Sequence, residues 1–221
     1  GGRPIFAERD GVVYSNEFGL DEFLALGEEL GFAPLLPVRF NRAAYGAIPP
    51  EEAAAEAAAL VAYCNAEVGA DLPDGMPDWP SVRAQNGREA PWNVPYFQVG
   101  NETWHYFNKA LAKRDLQSAS VKEQAEAYLV PLRAYLKAMH AVDPDIQIIV
   151  DGVSGAGRWV DQAILTDPVV RAHTAYFAVH LYQPWGIQEV RRDGAAIPFE
   201  ELDREEVWNA WVATPVINRQ T

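Results

Sequence analysis

The sequence predicts an α/β protein built on a parallel sheet, in the form of an incomplete (β/α) barrel of the TIM type. Three observations predict it. Short apolar segments of strand length alternate with segments of helical periodicity, which implies parallel strands joined by helical crossovers. The apolar pattern of residues 94–99 ends abruptly in Gly100-Asn101-Glu102, and polar side chains just past the C-terminal end of a strand are where barrel enzymes keep their chemistry. The turn Gly152-Val153-Ser154-Gly155-Ala156-Gly157 follows a strand and precedes a helix without the dinucleotide-binding glycine spacing, so a barrel is preferred to an open doubly wound sheet.

Taken in order, residues 21–30 have helical spacing and stop at Gly31, and residues 33–40 read as an apolar strand in spite of Pro34 and Pro37. A helix over 51–65 follows, then a Pro-, Gly- and Asp-rich loop over 71–80 before the strand at 94–99. Residues 121–142 are helical and lead to a strand at 146–150. Residues 159–165 form a short helix leading to a strand at 176–181, and 199–211 are again helical. Eight βα units typically take about 250 residues, and only four or five are visible, so the barrel is expected to be incomplete.

A chain of 221 residues that is 49% hydrophobic, with 7 Trp, 9 Tyr and 9 Phe, can bury a substantial core. A formal charge of −13 weighs against nucleic acid or an anionic membrane as partner and suits a neutral glycan. No run approaches the roughly 20 apolar residues of a membrane span. The single cysteine, Cys64, excludes an intrachain disulfide and reads as packing. The 4 histidines lack metal-ligand spacing, with His140 and His173 structural or exposed, so neither metal nor cofactor is expected. The start Gly1-Gly2-Arg3, without Met or a signal-peptide apolar region, is that of a processed, tagged or excised chain, and the compartment stays open.

Gly100 lets the backbone turn close to a ligand while Asn101 and Glu102 project beyond the last ladder bond. An amide can bond a sugar hydroxyl, and a carboxyl among aromatics can donate a proton near neutrality, which makes Glu102 a candidate general acid. The plainer reading is a surface carboxylate after an ordinary turn. Asp151, ending the strand at 146–150, is either a second working carboxylate or, the favoured reading, a turn cap. His180 and Tyr182 alternate with Val179 and Leu181, so both rings face one side, toward the barrel interior or mouth, either to orient Glu102 by hydrogen bonds or as a core histidine and a buried tyrosine. Trp104, His105, Trp185 and Trp92 flank strand ends, where rings stack on sugars or anchor loops. Asn41, after the strand ending at Phe40, is a sugar contact or a turn residue.

The segment from Ser81 through Arg83, Asn86-Gly87 and Pro91-Trp92-Asn93-Val94 to Gly100-Asn101-Glu102 resembles the family 51 α-L-arabinofuranosidases. The likeness runs upstream to Phe18-Gly19-Leu20-Asp21-Glu22-Phe23, Glu29-Leu30-Gly31 and Ala62-Tyr63-Cys64-Asn65. Downstream it runs through Met139, Val142-Asp143-Pro144-Asp145-Ile146, Ser154-Gly155-Ala156-Gly157 and Val179-His180-Leu181-Tyr182, covering most of residues 15–185.

The resemblance implies a retaining glycoside hydrolase releasing α-L-arabinofuranosyl groups, with Glu102 as acid/base on strand four and a His-x-Tyr pair on strand six lining the sugar site. The strands here are then three to six, residues 1–14 an extension, 15–221 a partial barrel, and both barrel edges exposed unless other chain covers them. The family's nucleophilic glutamate, at the end of strand seven, has no counterpart. Glu189, Glu200, Glu201, Glu205 and Glu206 all lie in charged or helical context, so the isolated chain is expected to be inactive. The competing readings are an endo-glycanase or xylosidase of a related barrel family, and a carbohydrate-binding barrel frame without catalysis. Oligomerisation with further copies is left open.

Overall fold

Parallel strands need a crossover between each pair, and the order of elements supplies one every time. The structure, a computed structural model, describes residues 5–9, 12–15, 17–152, 158–180, 191–203 and 205. The chain divides into two compact units, residues 1–178 and 179–221. The first begins with antiparallel strands β1 (Ile5–Arg9) and β2 (Val12–Ser15) and helix α1 (Leu20–Leu30). Strand β3 (Leu35–Val38) leads through α2 (Asn41–Ala44), α3 (Pro50–Asn65) and α4 (Trp79–Gln85) to β4 (Tyr96–Val99). Helices α5 (Trp104–Lys113) and α6 (Val121–Val142) then lead to β5 (Gln147–Asp151), and α7 (Arg158–Thr166) and α8 (Pro168–His173) to β6 (Tyr176–Ala178). The second unit holds the two-residue strands β7 (Arg191–Arg192) and β8 (Ala195–Ala196), paired antiparallel about Asp193-Gly194, and a 3-10 turn at Phe199–Glu201. Among the described residues no helix is long and apolar enough to cross a membrane.

The sheet runs β3-β4-β5-β6, all parallel, with Val38 opposite Val99 and Val99 opposite Val150. Alternation along the strands sends Leu36, Val38, Phe97, Val99, Ile148 and Val150 into the core beneath α3 and α6, where all are buried. Leu35, Gln98, Ile149, Asp151 and Tyr176 point to the other face. Pro37 is tolerated because β3 is an outer strand of this sheet, where a missing N–H costs no ladder bond.

Helix α6 forms for local reasons. Ser120 and Glu123 make a capping box, and Ala125, Tyr128, Leu129, Leu132, Tyr135, Leu136 and Met139 form its buried stripe. Pro131 lies inside the helix and cannot donate to the carbonyl of Ala127 four residues back. Arg114 supplies the missing donor, its Nη1 lying 2.8 Å from Ala127 O.

The N-terminal ends of the strands are tied by the residues of the sequence motifs. Arg83, fully buried, donates to the carbonyls of Tyr63, Glu89 and Arg88 at 2.7, 2.8 and 3.3 Å. Asn65 donates to Val94 O and accepts from Val94 N, at 2.9 and 2.7 Å. Asp21 accepts from Tyr63 Oη at 2.7 Å and Trp92 Nε1 at 3.2 Å, and the Arg88 guanidinium sits 4.1 Å over the Trp92 ring. Trp92 is therefore a loop anchor. Cys64 is buried, and burial first of all pushes its thiol up to about 12, which suits packing and not nucleophilic attack.

Several elements depart from the sequence expectation. The predicted loop at 71–80 gives way to α4 at its end, because Asp78 accepts from Ser81 N at 3.1 Å as an N-cap and Pro80 suits the first turn. The strands at 33–40 and 176–181 are shorter: they contract to β3 and β6, and Val179 and His180 lie beyond the sheet. Of the helix expected over 199–211, the described residues show a 3-10 turn at Phe199–Glu201 and helical backbone at Glu205, while residues 204 and 206–211 lie outside the described residues. Helices α2, α5 and α8 and both hairpins were not anticipated.

His140 and His173 pack together, their Nδ1 atoms 2.9 Å apart, with His140 Nε2 3.2 Å from Ile146 O. One Nδ1 must stay bare to accept, and burial followed by repulsion from His140 holds His173 below its ordinary 6.5. The unfolded chain thus takes up protons first, so stability is full above about pH 6.5 and falls as pH drops below it. Urea midpoints between pH 7.5 and 5 are expected to decline, and His173→Gln to flatten part of that decline. Arg114→Met is expected to cost about 1–3 kcal/mol by leaving Ala127 O without its donor, a loss that Pro131→Ala in the same chain partly restores.

Candidate functional site

The site is built on the turn that follows β4. Gly100 has φ 84° and Glu102 φ 51°, the left-handed region that costs a residue with a Cβ about 1–2 kcal/mol. A Cβ on Gly100 would lie 2.7 Å from Thr103 Cγ2, so glycine is required by space as well as by φ. Gly100 N donates to Val38 O at 3.2 Å, and Gln98 Nε2 donates to Gly100 O at 2.9 Å.

Thr103, fully buried, is the hub beneath this turn. Its N–H donates to Asp151 Oδ2 at 2.7 Å and its hydroxyl to Gly152 O at 3.0 Å. Tyr128 Oη lies 3.3 Å from Thr103 Oγ1 and 3.2 Å from Asp151 O. Burial, above all, raises the Tyr128 phenol well beyond its ordinary range, with the Asp151 charge adding to it, so Tyr128 stays a neutral donor. The turn thereby joins the C-terminal ends of β4 and β5 and the start of α5.

Above the hub, the Glu102 side chain is 27% exposed, and its Oε2 lies 3.3 Å from Nε2 of His105, one helical turn on. A cavity of about 290 Å³ opens at the C-terminal ends of β3 and β4, lined by Pro37, Val38, Arg39, Phe40, Asn41, Asn101 and Tyr106. Asn41 Oδ1 is buried there without a hydrogen-bond partner among the described residues. Burial, first of all, also raises the Tyr106 phenol far above its ordinary value, leaving it a neutral donor or acceptor. The cavity is an amide- and phenol-lined hollow, with Glu102 next in the chain after the lining Asn101, and such a lining suits a neutral polyhydroxyl ligand.

Of the residues singled out in the sequence, the structure brings Asn41 and Asn101 onto one cavity and sets Glu102 next to Asn101. Trp104 is the first residue of α5. His180 belongs to the second unit and is partly exposed, while Tyr182 and Trp185 lie outside the described residues. Asp151 is fully buried, which removes it as a nucleophile in this conformation and makes it an acceptor for the turn. Glu200, Glu201 and Glu205 are exposed and none ends a strand, while Glu189 and Glu206 lie outside the described residues. Sequence reading missed Tyr106 and the pairing of His105 with Glu102. The i, i+3 spacing of that pair was the available signal. A larger cavity of about 510 Å³, lined by Glu67, Asp71, Asp143 and Asp145 among others, lies at the opposite, N-terminal ends of β4 and β5. It belongs to the anchoring region.

Residues 3–186 match the family model of the alpha-L-arabinofuranosidase 1 domain. A probable alpha-L-arabinofuranosidase C of Aspergillus niger is 31% identical over 162 residues, 72% of this chain and 26% of that protein. Alpha-L-arabinofuranosidase C of Emericella nidulans gives the same identity and coverage, 31% over 162 residues. The solved structure of an arabinose-bound GH51 α-L-arabinofuranosidase superposes with a TM-score of 0.51 at 19% identity, covering 78% of this chain and 23% of that one, a likeness of fold. The chain spans about a quarter of the length of the curated relatives it matches.

Gly100→Ala is expected to lose about 2–4 kcal/mol in urea unfolding, combining the left-handed penalty with the clash against Thr103. In a Thr103→Ser background, which keeps the hydroxyl and removes Cγ2, the loss should shrink to the backbone penalty alone.

Proposed function

The chain belongs to the alpha-L-arabinofuranosidase 1 domain family, and on that footing we propose that it carries the acid/base half of a retaining glycoside hydrolase acting on α-L-arabinofuranosyl residues. The carrying observation is Glu102, held at φ 51° past the C-terminal end of β4, next to an Asn101 that lines a cavity with Asn41 and Tyr106. We further infer that the parallel sheet is part of a (β/α) barrel, whose C-terminal mouth is where such residues act.

On this reading the protonated Glu102 carboxyl gives its proton to the glycosidic oxygen as the bond to the anomeric carbon breaks. The carboxylate then takes a proton from the water that completes hydrolysis. Neutral His105, 3.3 Å from Oε2, can accept a hydrogen bond from the acid form, whereas its cation would favour the carboxylate. Asn41 and Asn101 would bond sugar hydroxyls, with Tyr106 as wall and donor. His180, Tyr182, Trp104 and Trp185 are proposed sugar contacts on the family resemblance alone. A retaining route needs a second carboxyl about 5–5.5 Å from the first, and Asp151, the strand-end carboxyl among the described residues, is fully buried and taken up by the Thr103 N–H. That observation favours, as second reading, a carbohydrate-binding barrel without turnover.

The test is hydrolysis of an activated aryl α-L-arabinofuranoside by the chain beside Glu102→Ala, with binding followed calorimetrically. Turnover falling by about 100-fold or more in the variant supports Glu102 as acid/base. Equal turnover in both sinks that role, and saturable binding with no turnover in either supports the binding-only reading. A chain that binds aryl β-xylosides and ignores arabinofuranosides overturns the choice of sugar.

A further inference from the structure

The position of Glu102 depends on how the peptide group that follows it is turned. That peptide is clamped on both sides. Its carbonyl, Glu102 O, accepts from His105 N at 3.0 Å, and its N–H, that of Thr103, donates to Asp151 Oδ2 at 2.7 Å. The first bond is local to α5 and would form wherever the helix started. The second comes from a different strand and fixes the rotation about the Glu102 Cα–C bond relative to the sheet. Asp151 is itself immobilised: it is fully buried, it ends β5, and its carbonyl accepts from Tyr128 Oη at 3.2 Å. At 2.7 Å the bond is at the short end of the range for an N–H donor to oxygen.

We propose that Asp151 is a positioning residue for Glu102, its carboxylate fixing the backbone rotation that aims the Glu102 carboxyl at the glycosidic oxygen. This rests on the reading of Glu102 as acid/base. It assigns the strand-end carboxylate of β5 a function distinct from both nucleophile and solvent-facing cap. Neither Tyr128 nor the Thr103 hydroxyl can replace it, because both act on the Thr103 side chain or on the Asp151 and Gly152 carbonyls.

The test is NMR on the chain labelled with 15N and with 13C at the glutamate carboxyls, comparing the parent with Asp151→Asn and Tyr128→Phe. In Asp151→Asn, which keeps shape and an acceptor oxygen, the Thr103 amide proton should move upfield. Its exchange should quicken by about tenfold, and the Glu102 carboxyl should change both its shift and its titration midpoint. Tyr128→Phe removes a hydroxyl from the same cluster without touching the clamped peptide, so the Glu102 signal should stay in place. A Glu102 midpoint unmoved by Asp151→Asn, or moved as far by Tyr128→Phe, overturns the proposal. Titrating an aryl α-L-arabinofuranoside into the parent sample separates the two readings. A Glu102 signal that ignores saturating ligand counts against the functional reading while leaving the Asp151 result to stand by itself.

Discussion

A single buried bond, from Thr103 N–H to the Asp151 carboxylate at 2.7 Å, governs what the C-terminal end of the sheet can present. The turn after β4 places two of three residues, Gly100 and Glu102, in the left-handed region, a conformation a free chain would leave. It persists because neighbours over-determine it: Val38 holds Gly100 from β3, Asp151 and Gly152 hold Thr103 from β5, and Tyr128 closes the cluster from α6. Backbone strain of this kind survives only where surrounding structure compensates, and it concentrates at sites that must aim a side chain.

The two ends of the sheet divide the labour. At the N-terminal end Arg83, Asn65, Asp21, Tyr63 and Trp92 satisfy backbone carbonyls and one another, closing the long connection between α3 and β4. Buried polar groups with partners on every side rigidify their surroundings, so this end works as a base. At the C-terminal end the polar groups are left facing a hollow: Asn41 and Asn101 line it, Tyr106 walls it, and Glu102, next in the chain after Asn101, is 27% exposed. The motif residues most conspicuous in the sequence thus serve mainly the anchoring end, while the proposed site rests on a three-residue turn.

Much of this was legible in the chain. Helices α1, α3 and α6 follow from periodicity and caps, with Gly31 and the Ser120–Glu123 box marking their ends within a residue of the reading. The parallel sheet followed from alternation of strands with helices, and Glu102 from its place at the end of an apolar run. Short helices were missed because their signals are single residues: Asp78 before Trp79-Pro80, Asp167 before Pro168. The Asp193-Gly194 dipeptide marked a hairpin turn that was not read as one. Pro131 in a buried helix had no sequence explanation, since the guanidinium that satisfies Ala127 O comes from another element.

The sequence by itself determined helices α1, α3 and α6, that the strands of the main sheet run parallel, and that a carboxylate stands beyond β4, because periodicity, caps and connection order are local properties of the chain. Only the tertiary structure decided that Asp151 grips the Thr103 peptide, that Tyr106 shares a cavity with Asn41 and Asn101, and that Trp92 anchors a loop. Those outcomes depend on which atoms meet between residues 48 or 71 apart in sequence. Distances of that kind are set by packing of the whole sheet against its helices, and no local pattern encodes them.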